Sequence, residues 1–248
     1  MEMQGRSVVV TGGASGIGKA TALLLAREGG RVVIGDIDAT GGERVASEAA
    51  GQGLAVEFVP LDLTKPESIA EFAAAAQCRT GGIDGLVNGA GWDRIQPFID
   101  NPPEMWDALI AVNLIGAVRL TRALLPPMIA AQQGKIVNIS SDAGRVGSTG
   151  ETVYAAAKGG LIAFTKSLAR EMARYRINAN CVCPGPTDTP LFSAQPERMR
   201  EALTRAIPFR RIARPEDIAE AVLFFIGRRS DYITGQVLSV SGGLTMVG

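Results

Sequence analysis

Short runs of β-branched and aliphatic residues recur along the chain, and each gives way to a longer stretch in which apolar residues return every three or four positions. Val8–Val10, Val32–Ile34, Val56–Val59, Leu86–Val87, Ile136–Ile139, Ile177–Val182 and Val237–Val240 read as strands. The stretches 17–29, 40–50, 66–79, 104–131, 151–174 and 215–227 read as helices, with a shorter one at 196–205. Strands alternating with helices build βαβ units, because a parallel pair needs a crossover long enough to hold a helix. The strand runs are apolar throughout rather than alternately apolar and polar, as expected when helices cover both faces of the sheet. No repeat, low-complexity tract or linker rich in Gly, Pro or Ser divides the chain. The expectation is one α/β domain over 1–248, a doubly wound parallel sheet of about seven strands with helices on both faces.

Composition then removes whole classes of chemistry. The 248 residues include no histidine, which excludes a Ser-His-Asp or Cys-His triad, a His-Glu-x-x-His helix and any zinc site that needs imidazole. Lys and Arg number 25 and so do Asp and Glu, with no block of like charge. This balance carries no footprint for nucleic acid or a membrane surface and favours a small-molecule partner. Cys78, Cys181 and Cys183 cannot all pair within one chain, and residues two apart on a strand point the same way. Reduced thiols, and hence a cytoplasmic protein, are expected. The N-terminal segment does not match a signal peptide, and no stretch reads as the ~20 apolar residues of a membrane span.

Thr11-Gly12-Gly13-Ala14-Ser15-Gly16-Ile17-Gly18 follows the first strand and opens the first helix. Glycines there let the backbone approach a pyrophosphate, whose charge is favoured by the free N–H groups of the helix start. Asp36 ends the second strand, 18 residues after Gly18, near the spacing of a carboxylate that accepts from a ribose 2′-hydroxyl. That points to NAD, since a 2′-phosphate would meet a negative charge there. Asp36 and Asp38 also suit a turn or N-cap before the next helix. Tyr154 and Lys158, four apart, share a helix face. A neighbouring ammonium stabilises a phenolate and would bring the tyrosine toward neutral proton transfer. Ser141 stands 13 residues before Tyr154, just beyond a strand, at the sheet edge where ligands bind, although a serine there could equally cap a turn. Asn113 interrupts an apolar helical run. Its amide serves either a structural hydrogen bond or a water held beside Lys158 as a proton route.

This combination resembles the short-chain dehydrogenase/reductase family over essentially the whole chain, which implies a Rossmann fold and reversible hydride transfer between nicotinamide and a secondary alcohol or ketone. The resemblance implies cofactor positions at Gly12, Ser15, Ile17, Gly18, Asp36, Asp62, Asn88, Gly89 and Ala90. It adds Tyr154, Lys158, Pro184, Gly185, Thr187 and Thr189. Gly89 replaces the second asparagine of the family's Asn-Asn-Ala-Gly segment, removing a side chain while keeping a close backbone approach. Ser141, Tyr154, Lys158 and Asn113 match the catalytic set, with Tyr154 moving the proton, Ser141 orienting the substrate oxygen, Lys158 binding the nicotinamide ribose and Asn113 holding the relay water. The segments around Gly91-Trp92-Asp93, 141–148, 182–189 and 235–246 are similar to dehydrogenases of 2-hydroxycyclohexanecarboxyl-CoA. This implies a 2- or 3-hydroxyacyl-CoA substrate, with Trp92, Asp142 and Arg145 on the substrate side. The neighbouring alternative is a 3-oxoacyl thioester reductase on CoA or on acyl carrier protein. Gln132-Gln133, where carrier-protein reductases tend to be basic, and Asp36, unsuited to NADPH, argue against the carrier-protein version. A general alcohol or sugar dehydrogenase and a catalytically silent nucleotide sensor are the remaining readings. The resemblance also implies a homotetramer with 151–175 and the C-terminal strand and tail at interfaces, and a loop at 186–210 that closes over substrate.

Overall fold

In the computed structural model, which describes residues 1–247, seven strands pair in parallel in the order β3-β2-β1-β4-β5-β6-β7. They are β1 (Ser7–Thr11), β2 (Arg31–Asp36), β3 (Val56–Pro60), β4 (Gly85–Asn88), β5 (Gly134–Ile139), β6 (Ile177–Pro184) and β7 (Val237–Val240). The longer helices are α1 (Gly16–Arg27), α2 (Ala39–Gly51), α3 (Pro66–Thr80), α4 (Pro103–Ile110) and α5 (Ala117–Ala131). After the short α6 (Ala143–Val146) comes α7 (Thr152–Met172), followed by α8 (Pro190–Ser193), α9 (Glu197–Ala206) and α10 (Pro215–Ile226). Every predicted strand is present, and the predicted helices lie within a few residues of those observed.

The apolar character of the strands has its reason in two separate cores. Val9, Val33, Leu86 and Ile136 face α3, α5 and α7 through Phe72, Leu120, Leu124 and Leu168. Their neighbours Val8, Val10, Ile34, Val87 and Val137 face α1 and α10 through Leu25, Ile218, Val222 and Phe225. Successive side chains on a strand point to opposite faces, so a strand covered twice is apolar at every position.

One helix differs from the expected run 104–131. It breaks at Ala111–Gly116 into a π-turn between α4 and α5. Asn113 causes a local conflict there: its Nδ2 donates to the Leu109 carbonyl at 3.0 Å, the acceptor that its own backbone N–H would take in an α-helix. Gly116 leaves room for Leu63, whose Cβ a side chain at this position would meet at 2.6 Å. The same stretch, Pro103–Ala131, corrects the membrane reading, because by length and apolar character it is comparable to a membrane-spanning helix. Here it packs as a core helix, with Leu120, Thr121, Leu124, Leu125 and Met128 buried.

Strand order reverses between β1 and β4, and the crevice beyond their carboxyl ends is where an open α/β sheet receives ligands.

Candidate active site

The near wall of this crevice is almost all backbone. Gly12 has φ +72°, and a Cβ on it would stand 2.9 Å from the Cα of Ala90. Gly18 sits so close under the turn that a Cβ would reach within 2.0 Å of the Gly12 carbonyl oxygen. Ser15 is the N-cap of α1 but makes no side-chain cap bond, and Ile17 anchors the helix start against the β1–β2 core. A tight turn without side chains beneath a helix N-terminus fits a pyrophosphate. The Thr11 hydroxyl accepts from the backbone N–H groups of both Gly89 and Ala90 at 3.1 Å, locking the end of β1 to the end of β4. A Cβ at Gly89 would meet the Thr11 carbonyl oxygen at 2.7 Å, so glycine suits the backbone approach adopted here.

Asp36 serves the turn as well as the open end of β2. Its Oδ2 accepts from the Ala14 N–H and its Oδ1 from the Asp38 N–H, each at 3.0 Å. Asp38 caps α2 by accepting from Gly41 N–H. Each Asp36 oxygen retains acceptor capacity, so the structural and ribose-binding readings of this residue are compatible. Asp62 accepts from the Thr64 N–H and hydroxyl and lies 3.3 Å from Lys65 Nζ. The Thr64 bonds, with smaller help from Lys65, hold its carboxyl below the ordinary range. Asn88 is turned into the core: its Nδ2 donates to Thr121 Oγ1 and Asn138 Oδ1, and Asn138 continues to Thr165.

The far wall carries the polar cluster. Ser141 lies two residues beyond β5, and its Oγ accepts from the Ala143 N–H at 3.1 Å. Its hydroxyl is also a neighbour of Tyr154 that favours the ionised phenol. The adjacent Ser140 points the other way and donates to the Lys158 carbonyl at 2.8 Å, tying α7 to β5. Lys158 is only 3% exposed. Its Nζ donates to the Ile139 carbonyl at 2.9 Å and lies 5.6 Å from the centre of the Tyr154 ring. Burial pushes this ammonium down to about 8, opposed by Cys181, Cys183 and Asp93. Asn113, 1% exposed, donates to the Trp92 carbonyl at 2.9 Å, while its Oδ1 is buried without a partner. A Cβ on Gly91 would stand 2.7 Å from that Oδ1 and 3.1 Å from Lys158 Nζ. The orphaned acceptor and the ammonium therefore flank the same spot.

Tyr154 departs from the expectation of a lowered phenol. Burial pushes it up, the negative charges of Glu151 and Asp93 add to the push, and the Ser141 hydroxyl only partly offsets them. Lys158 is anchored to a carbonyl rather than placed on the phenol oxygen, so the chain's own groups favour a protonated Tyr154.

The segment after β6 closes the crevice. Gly185 donates to the Val240 carbonyl, Thr187 donates to the Gly185 carbonyl, and Thr189 caps α8 through Phe192 N–H. Pro184 accepts from Asp142 N–H. Thr189 also reaches the opposite wall, since a Cβ on Gly16 would meet its Cγ2 at 3.1 Å.

Two of the three substrate-side candidates are held elsewhere. Arg145 donates to Ser239 Oγ at 2.6 Å and to the Val247 carbonyl at 2.9 Å, and Ser239 donates to Asp142 Oδ1. Asp142 and Arg145 thus fasten the loop after β5 to β7 and the tail. Trp92 stays at the crevice, half-buried. Cys181 and Cys183 lie side by side in β6 with Sγ atoms 3.9 Å apart, both buried and free, while Cys78 is exposed. Sequence reasoning missed Thr11, Asp93 and Glu151. Thr11 and Asp93 lie inside segments already singled out but had no role read for them, and nothing local marked Glu151.

Comparison with known proteins agrees with this geometry. Residues 12–245 match the family model described as Enoyl-(Acyl carrier protein) reductase. The chain is 41% identical over 246 residues to the 3-oxoacyl-(acyl-carrier-protein) reductase FabG of Thermotoga maritima, covering 99% of this chain and all of the relative. It is 36% identical to Nodulation protein G of Rhizobium sp. (strain N33), covering 99% of each chain. The crystal structure of levodione reductase superposes with a TM-score of 0.93 at 28% identity, covering 97% of this chain and 98% of that one. The chain belongs to the short-chain dehydrogenase/reductase family and is an oxidoreductase of that family.

Proposed function

We propose that the protein is an NAD-linked dehydrogenase that interconverts a secondary alcohol and a ketone on a 2- or 3-hydroxyacyl-CoA, such as 2-hydroxycyclohexanecarboxyl-CoA. The observation that carries the reaction type is the convergence of Ser141, Tyr154, Lys158 and Asn113 opposite the glycine turn. The preference for NAD rests on Asp36 at the end of β2. Gly12, Ser15, Ile17, Gly18, Asp36, Asp62, Gly89, Ala90 and the segment Pro184, Gly185, Thr187, Thr189 would hold the dinucleotide. Asn88 supports that wall from within the core.

Bound nicotinamide would supply the hydride exchange. Ser141 Oγ holds the substrate oxygen, and Tyr154 Oη takes the alcohol proton during oxidation or returns it during reduction. Lys158, poised near neutrality, holds the next proton, and Asn113 Oδ1 accepts a hydrogen bond from a relay water beside it. The segment 186–210, which contains α8 and α9, covers substrate. The working protein is a cytoplasmic homotetramer with no nucleic-acid or membrane partner.

A second reading, reduction of 3-oxoacyl groups on acyl carrier protein, is favoured by the names of several relatives. Initial rates with NAD on 2-hydroxycyclohexanecarboxyl-CoA, 3-hydroxybutyryl-CoA, their free acids and a simple cyclic alcohol separate the CoA reading from a general alcohol dehydrogenase. Strong preference for the CoA esters supports the thioester assignment, and ring against linear chain chooses its version. Equal or faster turnover of free alcohols rejects it. Parallel reduction of a 3-oxoacyl carrier protein and its CoA counterpart distinguishes the carriers.

A further inference from the structure

Arg145, expected on the substrate side, instead grips the end of the chain. We propose that Arg145 is a positioning residue that acts through the tail, residues 241–247, to hold the segment 186–210 closed over the substrate crevice. In taking 186–210 as the cover of the substrate, the inference rests on the function proposed above.

The cover is tied down at two places. At its base, Ala213 N–H donates to the Pro186 carbonyl at 3.0 Å and Asp188 N–H to the Ala213 carbonyl at 2.8 Å. At its far end, beyond α9, Phe209 N–H donates to the Gly242 carbonyl at 3.2 Å. A Cβ on Gly242 would meet Ile207 Cγ2 at 2.9 Å, and one on Gly243 would meet Pro208 Cγ at 3.1 Å. Both glycines have left-handed φ, +61° and +87°, which lets the chain fold back after β7. Leu244 N–H and Thr245 N–H then donate to the carbonyl and the hydroxyl of Ser241. The far end of the cover therefore rests on the tail.

The end of the tail has little apolar burial to hold it, since Met246 is 82% and Val247 43% exposed. Its polar anchor is Arg145, whose Nη2 donates to the Val247 carbonyl at 2.9 Å while Nη1 donates to Ser239 Oγ at 2.6 Å. Ser239 passes the grip on to Asp142 Oδ1. The anchor itself has no slack. Asp142 N–H is bonded to the Pro184 carbonyl, and α6 lies so close to α7 that a Cβ on Gly144 would stand 2.8 Å from the Gly159 nitrogen. Loss of the Arg145 bonds thus frees the tail and the cover rather than Ser141. A planar guanidinium reaches two acceptors with two nitrogens, a fork that the single ammonium of lysine does not reproduce. When the closed state is less populated, apparent substrate affinity falls in proportion.

Hydrogen–deuterium exchange of the whole chain reads the strap directly, and steady-state kinetics with 2-hydroxycyclohexanecarboxyl-CoA and with cyclohexanol read its consequence. Arg145→Ala, and a chain ended at Leu244, should each speed exchange in 196–210. Each should also raise KM for the alcohol about tenfold, the scale of one charge-assisted hydrogen bond, with kcat and KM for NAD close to wild type. Arg145→Lys should behave like Arg145→Ala, whereas Ser239→Thr should retain the wild-type KM that Ser239→Ala loses. Joining Arg145→Ala to the truncation should add nothing further, because both release the same contact. Unchanged exchange in 196–210 in both single variants overturns the inference, whatever the substrate. Faster exchange with an unmoved KM for both alcohols overturns the role in substrate affinity and, with it, the reading of 186–210 as the cover. If the CoA ester is not turned over, the thioester assignment fails, while the KM for cyclohexanol still decides the role of Arg145.

Discussion

The two walls of the crevice are built in opposite ways. On the β1–β2 side, Gly12, Ser15, Ile17 and Gly18 are near neighbours in sequence, and one more strand brings Asp36 to them. Across the crevice, Gly91, Asn113, Ser141, Tyr154 and Lys158 meet only because β4 and β5 lie side by side and α7 packs behind them. The first wall offers mainly backbone N–H groups, whose properties vary little with surroundings. The second consists of side chains whose proton affinities are set by burial and by charges from other elements, so that Tyr154 is pushed up while Lys158 is pushed down. A wall made from local backbone can be read as a motif. A wall made from buried side chains has a chemistry that depends on its neighbours.

The largest effect should come from the far wall. Replacing Tyr154 with Phe removes the proton carrier and should lower turnover by at least ~10³-fold, while NADH binding measured by fluorescence stays close to wild type. Retained turnover would refute the assignment. On the near wall, Gly12→Ala combines a left-handed φ with a clash against Ala90. It should cost about 2 kcal/mol by chemical denaturation and raise the KM for NAD; an unaltered KM would show that the turn is not the cofactor's seat.

Lys158 sharpens the contrast further. Its pKa falls on folding to about 8, so the native state binds its proton less tightly than the unfolded chain does. The corresponding penalty is full below about pH 8 and disappears as pH rises through the unfolded lysine value near 10.4. Lys158→Met should therefore stabilise the protein at pH 7 by roughly 1–2 kcal/mol while nearly abolishing activity. A loss of stability at that pH would show that the bond to the Ile139 carbonyl outweighs desolvation. Asp36→Ala should reduce the NAD-to-NADP ratio of kcat/KM by about tenfold; a constant ratio would leave Asp36 only its bonds to Ala14 and Asp38. The smallest effect belongs to Asp38→Ala, a lost N-cap worth about 1 kcal/mol, visible in thermal unfolding with the cofactor preference unchanged.

Legibility followed the same division. The strands were readable because each is covered on two faces, and the glycine turn because its residues are contiguous. Asn113 was visible as a polar break in an apolar run, but the π-turn required knowing that its amide would take the Leu109 carbonyl. Ser140 and Ser141 are indistinguishable by type. Only the path beyond β5 turns one toward the Lys158 carbonyl and the other toward Tyr154. Arg145 looked like a substrate ligand because it lies near Ser141 in sequence, yet the nearest acceptors in space come from Ser239 and Val247.

Hydrophobic periodicity and the glycine turn by themselves determined the layered sheet and pointed to its ligand-binding edge, while the kind of reaction followed from the resemblance that these and the Tyr154–Lys158 spacing carry. Those properties depend on backbone geometry and on residues within one turn or one βαβ unit. Tertiary structure decided which serine faces the tyrosine, which way its proton affinity moves, and that the charges of Asp93 and Glu151 bear on it. Burial and Coulomb interactions depend on distance through space, and a carboxylate 61 positions before Tyr154 bears on it once two loops are clamped together.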